Sequence, residues 1–304
     1  MKTYIIGSGA IGKALAVALQ LQGKDVVLIR GSVDNAAAHT ERIQIRLEDD
    51  SVQEATVPVS AIGNFERLDG LIALTSKSYG NEALARRLKD KTGVSPLVIL
   101  QNGLGVEQPF ISENYPEVYR CVLFVTSQTM AEGSVRFKPV ATCPVGIVKG
   151  NTDTLKIAVE QLSGGYFQFK AEEHIETIVW KKAIINSVFN SICPLLEMDN
   201  GIFHRNAAAL AMAERVVLEC LVVAREKGVF LEAEDVLQNL LQISRLSDGQ
   251  LISTLQDIRN KRQTEIETLN LEIARIAQEL KKEDAVKETR LLGELTKLKS
   301  ELSI

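Results

Sequence analysis

An α/β half followed by an all-helical half is the fold class this sequence predicts, on three observations. Short apolar runs alternate with helical patterns through residue 170. Beyond residue 171 only one proline, Pro194, remains, and nearly every stretch carries helical spacing. Between the first apolar run and the first helix stands Gly7-Ser8-Gly9-Ala10-Ile11-Gly12, three glycines spaced as in a tight strand-to-helix turn.

Taken in order, residues 2–6 read as the first strand, 10–22 as a helix and 25–30 as the second strand. Residues 71–75, 97–101, 121–126, 145–148 and 166–170 read as further strands, with helices at 82–89 and 154–162. Continuous apolar runs that alternate with helices imply a parallel sheet covered on both faces, a Rossmann-type doubly wound arrangement. The boundary is expected near 170, with a nucleotide-binding domain over 1–170 and a helical substrate domain over 171–304. In the tail, Ile273, Ile276, Leu280, Leu291, Leu295, Leu298 and Leu302 recur at 3–4 spacing. That spacing predicts helices packing on the domain or on a partner subunit, and leaves a homodimer open.

Composition narrows the class of protein. With 304 residues, 45% hydrophobic and 24% charged, the chain has material for a sizeable core in about two domains. A net charge of −4 gives no basic footprint for nucleic acid or an anionic membrane surface. No apolar run approaches the roughly 18 residues that would span a bilayer. Cys121, Cys143, Cys193 and Cys220 are widely spaced, without metal-ligand clustering, and suit a reducing cytoplasm. No metal is expected.

The glycine trio gains meaning from its place, after a strand and opening a helix in the first βαβ unit. There Gly7 allows the tight turn, Gly9 lets the backbone approach a pyrophosphate, and Gly12 lets helix and strand pack closely. A site for NAD usually carries an acidic residue at the end of the second strand, to accept from the ribose 2′-hydroxyl. Here the sequence reads Asp25-Val-Val-Leu-Ile-Arg30-Gly-Ser32. A guanidinium at position 30 suits a 2′-phosphate, so NADP(H) is the expected cofactor.

A second signal lies in the helical half. Lys182, Asn186 and Asn190 are spaced i, i+4, i+8 and share one helix face, among Ile184, Ile185, Val188, Phe189 and Ile192. Aligned polar groups in buried surroundings need partners, since an unpaired buried amide or ammonium is costly. Either a bound substrate or a structural network within the helical domain supplies them. Ser253 and Glu265 are twelve residues apart and would need a bend near Asn260 to face one point; periodicity alone makes Glu265 a solvated carboxylate. His39, His174 and His204 sit in no compelling catalytic setting, which leaves a lysine as the better candidate acid.

Together these pieces resemble the ketopantoate reductase family, from the N-terminus to about residue 270. The resemblance rests on GSGAIG (7–12), Thr75-Ser76-Lys77, QNGLG (101–105), WKKxxxNxxxN (180–190) and STLQDIRxxRxTEI (253–266). It implies NADPH-dependent reduction of 2-dehydropantoate to pantoate, in pantothenate synthesis. Carried over residue by residue, it implies Lys182 as general acid and Glu265 as the carboxylate that positions or charge-balances it and binds substrate. It implies Asn186, Asn190 and Ser253 as substrate-binding, and Lys77 and Asn102 as residues lining the cofactor and active site, with Glu265 also near the cofactor. Glu219 matches a helix glutamate of the family without a catalytic role. Two features depart from the pattern: Asn270-Leu271 stands where Asn-Gly is usual, and Asp284-Ala-Val-Lys-Glu-Thr289 replaces a Pro-x-Asn segment. A related reductase of another 2-oxoacid and a non-catalytic NADP(H) sensor are the competing readings. Retention of the Lys182 face argues against the sensor.

Overall fold

The computed structural model of the chain describes residues 1–31, 36–130 and 133–303. Ser32, expected beside Arg30, lies outside them. The chain forms two compact units, one of Met1–Gln101 with Val106–Ile175, the other of Asn102–Gly105 with Glu176–Ile304. The expected boundary near 170 falls inside the last strand of the first unit, and residues 102–105 join the second.

The first unit is built on eleven strands among the described residues: β1 (Thr3–Ile6), β2 (Val26–Arg30), β3 (His39–Arg46), β4 (Val52–Ala61), β5 (Leu71–Leu74), β6 (Leu97–Ile99), β7 (Val118–Cys121), β8 (Val125–Thr129), β9 (Val135–Pro139), β10 (Cys143–Lys149) and β11 (Phe169–Ala171). They form one sheet in the order β11-β10-β7-β6-β5-β1-β2-β4-β3-β9-β8. The centre, β2-β1-β5-β6-β7, is parallel. Its strands are apolar throughout because alternate residues enter different cores. Ile5, Leu28 and Ala73 face one cluster, while Ile6, Ile29, Ile72 and Leu74 face the other. Helices α1 (Ala10–Leu21), α2 (Asn81–Thr92), α3 (Gln108–Ser112) and α4 (Thr152–Leu162) accompany the sheet. From β1 the chain runs out to β2 on one side and later resumes with β5 on the other. The order therefore reverses between β1 and β5, the kind of switch point at which open α/β sheets hold ligands.

The sheet is mixed rather than wholly parallel, which corrects the expectation. β3 and β4 pair antiparallel, as do β8 with β9 and β7 with β10. The β3–β4 turn closes with Leu47 N–H donating to Ser51 O at 2.9 Å and Asp50 at φ 61°. Only one face of β3 is buried, through Ile43 and Ile45. That alternation was present in Thr40-Glu-Arg-Ile-Gln-Ile-Arg46 as a period of two. The expected strand at 121–126 is two strands, because Val122 and Phe124 turn their amides to Pro144 O and Cys143 Sγ.

The second unit is helical: α5 (Ile175–Leu196), α6 (Ile202–Arg205), α7 (Ala207–Glu226), α8 (Ala233–Leu246), α9 (Ser253–Arg259), α10 (Asn270–Glu279) and α11 (Lys287–Glu301). Its core joins Ile184, Val188 and Phe189 of α5 to Val216 and Val223 of α7, Leu240 of α8 and Ile273 of α10, with Leu104 among them. No helix among the described residues is long and apolar enough to cross a membrane.

The two departures in the tail turn out to be one structure. The Glu219 carboxylate accepts from the N–H groups of Glu288 (3.0 Å) and Thr289 (2.7 Å) and from the Thr289 hydroxyl (2.6 Å), serving the uncapped start of α11. Buried Asn270 donates through Nδ2 to Thr289 O at 3.3 Å. Gly293 makes room for Asn270 and Leu271, since a Cβ there would lie 2.8 Å from Asn270 Cβ and 3.0 Å from Leu271 Cδ2. The leucine stripe at 291, 295, 298 and 302 does not pack on the domain. Thr289, Leu292, Gly293, Thr296 and Ser300 form the buried face, whereas Leu291, Leu295, Leu298 and Leu302 are between 42% and 80% exposed. Small residues bring α11 close to its neighbours, and the leucine stripe points away.

Candidate active site

The glycine turn lies at the switch point. Gly7 has φ 126°, a conformation that glycine adopts without strain, and a Cβ on it would overlap the backbone nitrogen of Ser76. The turn is stitched to the end of β5: Ser76 N–H donates to Ile6 O at 3.0 Å and Thr75 Oγ1 to Gly7 O at 2.9 Å. A Cβ on Gly12 would overlap the Gly7 carbonyl oxygen, so only glycine lets α1 start this close to the turn. Gly9 differs from both, with nothing within 4 Å of a Cβ built there.

Gly9 is the N-cap of α1 and gives no side-chain cap, and the first turn of that helix carries no acidic residue. Ser8, Ala10 and Ile11 are half-buried around it. Open backbone, uncapped N–H groups and a helix dipole of the right sign fit a pyrophosphate. Lys77 is half-buried and directly follows Ser76.

Arg30 ends β2, one rung beyond the Ile6–Ile29 pair, and Gly7 N–H donates to Ile29 O at 2.9 Å. Its Nη2 lies 3.1 Å from His39 Nε2. A guanidinium only donates, so Nε2 accepts, and the His39 proton sits on Nδ1, 3.3 Å from Ala37 O. The next residue, Gly31, accepts through its carbonyl from Arg87 Nη1 at 3.3 Å.

Beneath the β5 and β6 ends lies a buried network that reading by motif missed. Asn81 and Gln101 exchange amide bonds, Nδ2 to Oε1 at 2.7 Å and Nε2 to Oδ1 at 2.8 Å. Gln101 Nε2 also donates to Ser76 O at 2.9 Å, and Asn81 Nδ2 to Val106 O at 2.8 Å. Arg120, only 4% exposed, donates to Gln101 O at 2.7 Å and pairs with Glu107 at 3.2 Å. Burial pushes the Arg120 guanidinium below its ordinary value, and the Glu107 carboxylate opposes that. The signal available was three polar residues, Asn81, Gln101 and Arg120, beside apolar runs that could not bury them unpaired.

The second unit gathers the other candidates. Along α5, Lys182 and Asn186 are half-buried and Asn190 is buried. Asn190 is fully engaged: Oδ1 accepts from Ser253 Oγ (3.2 Å), Thr254 N (3.3 Å) and Thr254 Oγ1 (2.8 Å), and Nδ2 donates to Asn186 O at 3.0 Å. It thereby serves the start of α9 and holds exposed Ser253 beside α5. The structural network weighed from the sequence describes Asn190, whereas no hydrogen bond of the Asn186 side chain is found among the described residues. The bend near Asn260 exists: α9 ends at Arg259, and Lys261 has φ 55°. Beyond it Glu265 is half-buried, and its carbonyl accepts from Thr268 N–H and Oγ1, both at 3.1 Å.

Asn102 belongs to this unit rather than to the α/β half. Leu104 N–H donates to Thr268 O at 2.7 Å, and its side chain enters the helical core. Gly103 and Gly105 lie so close to Thr268 and Glu272 that a side chain on either would collide. Exposed Asn102 is thus carried by the same segment as Glu265.

Comparison with known proteins matches both parts of the chain to one family. Residues 3–150 match the family described as Ketopantoate reductase PanE/ApbA, and residues 174–299 match Ketopantoate reductase PanE/ApbA C terminal. A 2-dehydropantoate 2-reductase of Pyrococcus abyssi is 28% identical over 284 residues, 91% of each chain. Two solved structures share the fold over this whole chain. The dimeric ketopantoate reductase of Staphylococcus aureus has a TM-score of 0.82 at 18% identity, over 100% of both chains. D-mandelate dehydrogenase, solved with NADH and anilino(oxo)acetate, has 0.84 at 22%, over 100% of this chain and 99% of that one.

Proposed function

The chain belongs to the ketopantoate reductase family, and on that premise we propose that it reduces 2-dehydropantoate to pantoate with NADPH, in pantothenate synthesis. The observation that carries the reading is the polar array of the second unit. Lys182 and Asn186 share a face of α5, and Asn190 ties Ser253 to that face at 3.2 Å. A sensor has no use for such an array.

NADPH, when bound, supplies the hydride that adds to the ketone carbon. The glycine turn holds its pyrophosphate on the N–H groups of α1, Arg30 takes its 2′-phosphate, and Lys77 and Asn102 line the cofactor and active site. As the carbon gains hydride, the ketone oxygen gains negative charge. Lys182 Nζ stabilises that charge and delivers its proton to the oxygen, leaving a neutral hydroxyl. Glu265 balances the lysine, binds substrate and stands near the cofactor. Asn186 offers its amide to the hydroxyl and carboxylate ends of the substrate, Ser253 its hydroxyl, and Asn190 acts by holding Ser253. The four cysteines, all buried and in no disulfide among the described residues, suit a reducing cytoplasm.

A second reading changes the acid and keeps the chemistry. It is favoured by Asn270-Leu271 and the Glu219-held segment at 284–289, where the chain departs from the family pattern. NADPH absorbance followed with a panel of 2-oxoacids separates the readings. Turnover restricted to 2-dehydropantoate is the expected result; turnover restricted to another oxoacid selects the second reading, and cofactor binding without any turnover defeats both.

The assembly that goes with this reading is a homodimer. The dimeric Staphylococcus aureus protein and the exposed leucine stripe of α11 support it. Sedimentation velocity is expected to give twice the chain mass, and a single-chain mass at micromolar concentration would remove it.

A further inference from the structure

We propose that Arg205 on α6 is a positioning residue for the reaction: by clasping Asp199 and Asp248 it holds the loop that presents Ser253. The proposal rests on the reading of Ser253 as a substrate-binding hydroxyl. Ser253 opens α9, whose N-cap, Ile252, offers no side-chain cap. Asn190 Oδ1 does not fix it alone. That oxygen has two lone pairs for three donors, and the shortest bond, 2.8 Å, comes from Thr254 Oγ1 rather than from Ser253 Oγ at 3.2 Å. Where the Ser253 hydroxyl stands therefore depends on the loop before it, residues 247–252, which joins α8 to α9.

That loop is tied to the corner between α5 and α6, residues 197–201. Arg205 Nη2 donates to both carboxylate oxygens of Asp199, at 2.7 and 2.8 Å, and Nη1 donates to Asp248 Oδ1 in the loop. One planar guanidinium thus spans two carboxylates on different segments. It holds the Asp199 carboxyl below the usual carboxylate range, so the clasp is charged at neutral pH. The backbone repeats the connection. Asn200 N–H donates to Gln250 O at 2.9 Å, and Gly249, at φ 75°, turns its N–H to Asp199 Oδ1 at 3.4 Å. Gly201 leaves the space for the ion pairs, since a Cβ there would overlap Asp248 Oδ1 and lie 2.7 Å from Arg205 Nη1. The corner follows directly on α5, the helix that carries Lys182 and Asn186. Ser253 is therefore held to α5 at two points, directly through Asn190 and at the helix's end through the clasp.

The test measures KM and kcat for 2-dehydropantoate at saturating NADPH, with the full chain and its variants. Ser253→Ala is the reference, and the loss of one hydrogen bond should raise KM about fivefold at nearly unchanged kcat. Arg205→Ala removes both ties of the clasp. Asp248→Asn keeps the size of the side chain and Arg205's grip on Asp199, weakens only the tie to the loop, and guards against a fold defect in the alanine variant. The two should raise KM about threefold and about twofold, the scale of partly exposed ion pairs, and leave the NADPH dissociation constant unchanged. In a Ser253→Ala background neither should raise KM further, because the hydroxyl they position is gone; a purely structural role would multiply the two effects. If Ser253→Ala raises KM while the clasp variants leave it unchanged, or if the effects multiply, the proposal is overturned and the Ser253 reading survives. If the full chain does not turn over 2-dehydropantoate, or Ser253→Ala leaves KM unchanged, that reading fails and takes the proposal with it.

Discussion

Lys182→Ala is expected to lose about 100- to 10,000-fold in kcat, the usual contribution of a positioned proton donor, while still binding NADPH. The reason is the order of events at the carbonyl. Hydride addition leaves an alkoxide, which in neutral water is a poor product until it is protonated. Lys182 sits at the head of the α5 face that Asn190 and Ser253 extend, and alanine removes both its charge and its proton. Single-turnover kinetics with preloaded NADPH separate the chemical step from binding, and there the loss should appear in full. Lys182→Arg keeps the charge but donates poorly at neutral pH, because a guanidinium holds its proton far more tightly than an ammonium, so it should recover less than about a tenth of the rate. Near-normal turnover in the alanine variant would take Lys182 out of the mechanism.

The largest stability effect is expected from Glu107→Ala. Removing one partner of a buried ion pair leaves the other charged and uncompensated, at a typical cost of about 3–5 kcal/mol. Arg120 is that other partner, with its guanidinium held by Gln101 O and Glu107. Glu107 is itself partly reached by water (side chain 18% exposed), so the low end, about 3 kcal/mol, is the expected value. For a unit of this size that corresponds to a fall in Tm of roughly 6–12 °C. Replacing the pair together, as Glu107→Leu with Arg120→Met, should recover part of the loss and leave the cost of Arg120's bond to Gln101. A Glu107→Ala change of less than about 1 kcal/mol by chemical denaturation would show that water or a neighbour already neutralises Arg120. The chemistry gives this pair a use: Arg120 fixes Gln101, Gln101 fixes Ser76, and the Gly7 turn is sutured to Ser76.

Much of this was legible in the chain. GSGAIG after an apolar run carried the turn, because glycine at 7 and 12 answers a purely local steric demand. Arg30 at the end of the next strand carried the expectation of a 2′-phosphate for the same reason, since strand ends at a switch point face the ligand whatever the rest of the fold does. The α5 face was legible from spacing alone. The β3–β4 and β8–β9 pairs were less legible, because a one-faced hairpin alternates polar and apolar residues and has a shorter signal than a buried, continuously apolar parallel strand.

Other features had no local signature. Asn190 reads like Asn186 in the sequence, yet one is consumed by Ser253 and Thr254 and the other is not. That difference depends on where α9 lands, sixty-odd residues later in the chain. Asn102 follows a β-strand of the first unit but belongs to the second, because Leu104 two residues on bonds Thr268 O and enters the helical core. The α11 leucines have perfect helical spacing, and the small residues beside them took the interior.

By itself, then, the sequence determined the fold class, the turn and the lysine-bearing face, all of which rest on spacing and backbone sterics within a few residues. Tertiary structure alone decided which polar groups were already satisfied and which face of a helix was buried. Hydrogen bonds and ion pairs are made between atoms within about 3–4 Å of each other, and only the folded chain brings residues so far apart in sequence to that distance.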